Sequence, residues 1–205
     1  RHEFAQRAIA DHDAGGVGRG VARQAFEALG AGTGAAVGLL SLNRPEVLMI
    51  SCCDSRVSPE VIFDTGPGEL FVIRNVANIV PPHETGGDYH GTSAAIEFAV
   101  EGLEVKHIVV LGHATCGGIK AYANKAKPLS PGNFIGKWVS LVEPAVARAG
   151  DSSAPDYITR LEHAMVSQSI ENLLTFPFVA ERVADGRLAL HGAHFGVATG
   201  DLWVR

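Results

Sequence analysis

The chain has 205 residues, of which 46% are hydrophobic and 19% are charged, and its net charge is −5. This length supports one large domain with its own core, and the composition excludes a disordered chain. The lack of a basic run argues against a nucleic-acid partner. No apolar stretch reaches the roughly 18 residues of a membrane-spanning helix. Three cysteines form too sparse a set for a disulfide framework, so we expect a reducing, cytoplasmic setting with metal-binding or catalytic thiols.

The first 44 residues differ from the rest. Segments 3–10 and 20–29 have helical spacing, and the glycine-rich stretch 13–18 between them is a helix breaker. The pattern predicts an N-terminal helical arm over residues 1–44 and a main α/β domain over residues 45–205.

Short apolar runs alternate with helical segments in the main domain. Buried parallel strands are predicted at 47–52, 70–74, 107–112 and 187–192. A helix is predicted to begin at Pro59 with Ser58 as its cap, and another to run from Gly91 to Val100. This order predicts an α/β fold with a central, mostly parallel β-sheet flanked by helices.

Reactive side chains follow the first and third predicted strands, at the carboxyl ends where sites lie in such sheets. Cys52, His113 and Cys116 together make a set of two thiols and one imidazole, which suits zinc. Three protein ligands leave the fourth tetrahedral position open, as in catalytic zinc sites. Zinc lowers the pKa of bound water to about 7, so we expect zinc-bound hydroxide to attack a small electrophile such as carbon dioxide.

Asp54 and Arg56 are two residues apart and share the side of Cys52 if the strand geometry persists. An ion pair between them would keep the carboxylate ionised and hold it away from the metal. Cys53 would then point to the other side, where a buried structural thiol is expected. Gly117 offers a backbone amide that suits an anionic product.

At these residues the sequence resembles the β-class carbonic anhydrases. The motifs that carry the resemblance are Cys52-x-Asp54-x-Arg56 and His113-x-x-Cys116-Gly117-Gly118, and the likeness continues through 67–71, 74–78, 172–178 and 200–203. The resemblance implies a zinc lyase, a carbonate dehydratase that reversibly hydrates carbon dioxide to bicarbonate and a proton. It implies Zn²⁺ held by Cys52, His113 and Cys116, and a dyad of Asp54 and Arg56 that orients the zinc-bound hydroxide.

The resemblance also implies substrate contacts. Gly117 would donate its amide to bicarbonate, and Phe71 and Val76 would form apolar walls of the carbon dioxide pocket. Asn43 stands where the family usually has a substrate-binding Gln, and Phe98 replaces a Tyr of the family. Taken without the resemblance, Asn43 fits a turn as well as a substrate contact, and the apolar residues are ordinary core positions.

Two departures bear on regulation and assembly. Met49 replaces the Trp of the bicarbonate-inhibited branch, and with Phe98 it argues for the plant-type, non-allosteric branch. The family is built from dimers whose N-terminal helices wrap the partner, so the resemblance implies a homodimer, or a tetramer of two such dimers.

Other interpretations remain open. The same site could hydrolyse carbonyl sulfide or carbon disulfide. A non-catalytic zinc or thiol sensor would need a fourth ligand or a metal-free reactive cysteine, and it would not need the ion pair beside Cys52. His191 and His194 would face opposite sides of the fourth strand, so we interpret both as structural.

Overall fold

The computed structural model of the chain describes residues 45–87 and 89–204. The predicted arm over residues 1–44, with Asn43, lies outside the described residues. No helix in the described ranges has the length and apolar character needed to cross a membrane.

The strands among the described residues form one sheet of five, in the order β2-β1-β3-β4-β5. Its strands are β1 (Val47–Cys52), β2 (Leu70–Asn75), β3 (His107–His113), β4 (Ala189–Phe195) and β5 (Leu202–Val204). The strands β1 to β4 run parallel to one another, and β5 pairs antiparallel with β4. The predicted, mostly parallel sheet is therefore confirmed.

The fourth strand begins later than predicted and extends further. Arg187 and Leu188 are not part of it, because their backbone amides both bond to the carbonyl of Arg182 and close the preceding helix. The short edge strand β5 was not predicted, since three residues carry too little pattern to distinguish a strand.

Helices lie between the strands. They are α1 (Pro59–Ile62), α2 (Gly91–Glu97), α3 (Gly117–Ala123), α4 (Phe134–Val139), α5 (Val146–Ala149), α6 (Tyr157–Leu173) and α7 (Pro177–Ala184). The predicted start after Ser58 is confirmed, although its hydroxyl bonds to the Glu60 carboxylate and not to a backbone amide. The helix predicted to reach Val100 continues beyond it through a π-helical turn, Phe98–Gly102.

The core has two layers, one on each face of the sheet. Every residue of β1 is buried, which explains its uninterrupted apolar sequence. Alternate side chains enter opposite layers: Val47 and Met49 belong to one, and Leu48 and Ile50 belong to the other. Cys52, at the end of the strand, lies in the first layer with Cys116. The helices α2 and α7 cover the second layer, whereas α3 lies on the first.

The long helix α6 crosses close to β3. A side chain at Gly112 would place its Cβ 2.6 Å from Val166 Cγ2 of that helix, so only glycine allows this approach. The close contact brings the polar residues of α6 next to the segment that follows β3.

Candidate metal centre

The chain reverses its direction of travel across the sheet between β1 and β3. It passes from β1 to β2 on one side and then forms β3 on the other side of β1. A crevice opens at the carboxyl ends of the strands at such a reversal. Cys52 ends β1 and His113 ends β3, so the sheet topology brings both residues to that crevice.

Cys52, His113 and Cys116 form a compact buried cluster. Their ligand atoms all lie within 4.8 Å of one another, and no other such group of three occurs within residues 45–87 and 89–204. The two sulfur atoms are 4.0 Å apart. Tetrahedral zinc with Zn–S bonds of about 2.3 Å needs its sulfurs about 3.8 Å apart, so the cluster fits this ion with little movement.

The imidazole of His113 is oriented for metal binding. Its Nδ1 lies 3.0 Å from the carbonyl oxygen of Ala114, which accepts a hydrogen bond from the Nδ1–H tautomer. That tautomer leaves Nε2 as a lone-pair donor, and Nε2 is buried without a hydrogen-bond partner. Metal-binding histidines usually donate their other ring N–H to such a carbonyl.

The two buried thiols shift each other's pKa in opposite directions. Contact with Cys116 lowers the pKa of Cys52 to about 4, and burial opposes this shift. Contact with Cys52 raises the pKa of Cys116, and burial adds to that effect. Burial works against protonation of His113, but the nearby Cys52 sulfur and its negative charge outweigh burial and raise the pKa of the imidazole. Zinc binds thiolates and neutral imidazole, so its binding would release these protons.

Asp54 and Arg56 form a bidentate ion pair at the mouth of the cluster. Arg56 Nε donates to one carboxylate oxygen at 2.9 Å and Nη2 to the other at 2.7 Å, and the Arg56 backbone amide donates at 3.0 Å. These bonds hold the pKa of Asp54 well below its usual range. Asp54 therefore stays ionised, and both of its oxygens accept hydrogen bonds from Arg56.

Arg74 of β2 fixes the backbone of the same loop. Its Nε donates to the carbonyl of Cys52 at 2.9 Å, and its Nη2 donates to the carbonyl of Asp54 at 2.6 Å. The ion pair and the first thiol are thus held by one side chain from the neighbouring strand. Arg74 lies in the segment 74–78 that carries part of the family likeness.

The segment after Cys116 approaches the β2 side very closely. A Cβ at Gly118 would lie 2.7 Å from Val76 Cγ1 and 2.9 Å from the Cβ of Ala77, which requires glycine there. Gly117 is the first residue of α3, and its Cα has open space around it. Val76 packs against the layer that contains both ligand cysteines.

The other residues proposed to line the pocket lie elsewhere. Phe71 and Phe98 contact each other, with ring centroids 5.7 Å apart, and Phe71 packs against the opposite core layer from Cys52. Phe98 is 54% exposed to solvent. The structure therefore places Val76, but not these two rings, in the layer of the chain's own metal cluster.

Cys53 was expected to be a buried structural thiol, and this expectation was wrong. Its side chain is exposed and lines an open groove of about 850 Å³ together with Val76 and Trp138. Strand geometry ends at Cys52, so the side opposite that thiol is solvent and not core. His191 and His194 do point to different surroundings: His191 contacts His107, and His194 contacts Glu162.

Glu162 was missed in the sequence. Its carboxyl group is buried, accepts a hydrogen bond from the backbone amide of Cys116 at 2.9 Å, and lies 3.3 Å from His194 Nε2. An acidic residue inside the apolar stretch 161–166 was the available signal, since a buried carboxyl needs polar partners. Trp138 was also missed; nothing in its local sequence sets it apart.

Comparisons with known proteins agree with this geometry. The family described as carbonic anhydrase matches residues 47–202. Beta carbonic anhydrase 3 of Arabidopsis thaliana is 40% identical over 168 residues, which are 78% of this chain and 64% of that protein. The chain spans 53% to 64% of the length of the first curated relatives it matches.

Solved structures share the fold. The β-carbonic anhydrase CcaA superposes with a TM-score of 0.71 at 31% identity, covering 89% of this chain and 84% of that one. A tetrameric β-carbonic anhydrase of Sordaria macrospora gives a TM-score of 0.67 at 30% identity, covering 87% and 84%. With the family match extending from β1 to β5 and the cysteine–histidine cluster intact, this chain belongs to the β-class carbonic anhydrases, in their plant-type branch.

Proposed function

We propose that the chain catalyses the reversible hydration of carbon dioxide to bicarbonate and a proton. The observation that carries the proposal is the Asp54–Arg56 ion pair beside a cluster of only three metal ligands. Arg56 occupies both oxygens of the carboxylate, so Asp54 does not complete the coordination sphere. A site with three protein ligands leaves one position for a reactant.

The cluster supplies what this reaction requires. Zinc held by Cys52, His113 and Cys116 would acidify a water molecule and make it a nucleophile near neutral pH. The ionised Asp54 would accept a hydrogen bond from that water and orient it. Val76 offers an apolar wall for carbon dioxide, and the Gly117 amide would donate to the bicarbonate anion. Each role follows from a side chain or amide beside the cluster.

The sensor interpretation lacks its fourth ligand in the part of the chain that the structure describes. Carbonyl sulfide and carbon disulfide have the same linear shape as carbon dioxide, so they are the competing substrates to test. The proposal predicts that carbon dioxide is the preferred substrate of the three.

We assign a homodimer, or a larger assembly of such dimers, as the working form. Phe71 and Phe98 pack away from the chain's own cluster, so they could line a pocket only in a second copy. Exposed Phe98 and Phe134 leave apolar surface for a partner to cover. Light scattering after size exclusion should give at least twice the chain mass; a monomer that retains full activity would contradict this assignment.

The ligand chemistry supports our expectation of a reducing compartment, the cytoplasm. The thiols of Cys52 and Cys116 are close enough to react with each other under oxidising conditions, and zinc needs both as thiolates. Fractionation of cells that express the chain fused to a fluorescent protein tests this localisation. Recovery in an oxidising compartment would contradict it.

The decisive experiment measures zinc content and stopped-flow carbon dioxide hydration on one preparation. We expect about one zinc per chain and rapid hydration that chelator abolishes. The Cys116→Ser variant should lose zinc and at least about 100-fold of the activity, because a ligand is removed. Bound zinc without hydration, or faster turnover of carbonyl sulfide than of carbon dioxide, would overturn the proposed function.

A further inference from the structure

One peptide group connects a tryptophan to a metal ligand. The backbone amide of Ala77 donates a hydrogen bond to Cys52 Sγ at 3.4 Å. The carbonyl at the other end of that peptide belongs to Val76, and it accepts a hydrogen bond from Trp138 Nε1 at 2.8 Å. Indole, peptide and sulfur therefore form a continuous series in which each hydrogen bond polarises the next.

The backbone around this peptide has an unusual conformation. Ala77 has a φ of 65° and Asn78 a φ of 46°, in the left-handed region that non-glycine residues rarely adopt. The Asn75 side chain closes this turn with two hydrogen bonds to Ile79. It accepts one from the Ile79 amide at 2.9 Å and donates one to the Ile79 carbonyl at 2.8 Å. Such conformations are strained and persist where the surroundings enforce them.

Packing confines the peptide as well. Gly118 lies so close that a Cβ there would overlap Val76 and Ala77. Trp138 reaches the peptide from α4, at the wall of the groove that Cys53 also lines. Cys52 and Ala77 are both buried, so water does not compete for the hydrogen bond to the sulfur.

We propose that Trp138 is a positioning residue of the metal centre, and that its indole N–H controls the electron donation of Cys52 through the Val76–Ala77 peptide. The proposal depends on the proposed function only in requiring a metal bound by Cys52. A hydrogen bond to a thiolate draws charge from the sulfur, so the bound ion remains a stronger Lewis acid. Outer hydrogen bonds of this kind commonly change metal affinity or activity by 10–100-fold.

The test uses the cobalt(II)-substituted protein and its sulfur-to-cobalt charge-transfer absorption. In Trp138→Phe the ring remains and the donor is lost, so the sulfur becomes a stronger donor and the band should move to longer wavelength. The matched control is Trp203→Phe, which removes the chain's second tryptophan on β5, where it contacts His163. That control should leave the band in place.

A second arm changes donor strength without changing shape. In the Trp203→Phe background, Trp138 is the sole tryptophan, so biosynthetic fluorotryptophan labels it alone. Ring fluorination makes the indole N–H a stronger donor, and the band should move to shorter wavelength. This arm decides the question if Trp138→Phe fails to fold.

An unchanged band in folded, cobalt-loaded Trp138→Phe, or in the fluorinated protein, would overturn the inference. Absence of any charge-transfer band in the parent protein would also overturn it, because Cys52 would then not be a ligand. If the band shifts as expected while carbon dioxide hydration is absent, the inference stands and only the proposed function fails.

Discussion

Two Asp-x-Arg pairs in this molecule have almost the same local geometry and very different positions. Asp54 and Arg56 follow β1, whereas Asp185 and Arg187 form a surface turn before β4. In both, the arginine amide and Nε donate to the aspartate two residues earlier. In both, these bonds hold the pKa of the aspartate below its usual range.

The difference lies in what surrounds each pair. Asp54 is 18% exposed, beside Cys52 and under the backbone contacts of Arg74, whereas Asp185 is 43% exposed at the opposite end of a strand. A short spacing thus creates the ion pair in either place. Only the position at the carboxyl edge of the sheet gives the pair a metal cluster to serve.

The largest expected effect comes from breaking each pair in turn. Arg56→Ala should lower carbon dioxide hydration about 100-fold with zinc still bound, because Asp54 loses the partner that orients it. Arg187→Ala should stay within about twofold of the parent, since exposed ion pairs contribute little. Stopped-flow rates and zinc content check both variants. Comparable losses in the two would contradict a special role for the Asp54–Arg56 pair in the reaction.

The next difference to test is between a buried and an exposed carboxylate of α6, Glu162 and Glu171. Glu162→Ala would leave the Cys116 amide and His194 without their shared carboxyl partner and open a cavity, so unfolding should become easier by about 2–4 kcal/mol. Glu171→Ala on the same helix removes an exposed carboxylate that pairs with Arg148 and should cost less than about 1 kcal/mol. Urea titrations measure both, and equal costs would contradict a supporting role for Glu162.

The smallest expected effect concerns pH between 7 and 5, where neither aspartate pair titrates. Burial, with the charge of His107, lowers the pKa of His191 to about 4. Below the unfolded value of 6.5 the unfolded chain binds a proton that the folded chain does not, so stability falls as pH falls. We expect a loss of about 1 kcal/mol from pH 7 to pH 5, after allowance for solvent screening.

Thermal or urea unfolding at the two pH values checks this expectation. His191→Gln should flatten the slope, whereas Arg187→Ala should leave it unchanged because Asp185 titrates at lower pH. A steep slope retained in His191→Gln would mean that other groups control acid sensitivity.

The sequence alone predicted the parallel strands, because buried strands such as β1 are apolar at every position. It also predicted the ion pair, since Cys52-x-Asp54-x-Arg56 places both partners beside the first thiol, and it predicted His113 and Cys116 as ligands after the third strand. Strand alternation separated Cys52 from Cys53, but it could not say what lies on the far side. The exposure of Cys53 follows from the end of the strand and the groove beyond it.

Only the tertiary structure decided which distant groups support the centre. Cys116 and Glu162 are 46 residues apart, and Trp138 and Val76 are 62 residues apart, so no periodic pattern connects them. The same holds for Arg74 across two strands and for the close approach of Gly118 to Ala77. Local spacing determines which side chains share a strand end or a turn. Contacts between separate elements depend on sheet order and helix packing, and these determine which charges and amides meet the metal ligands.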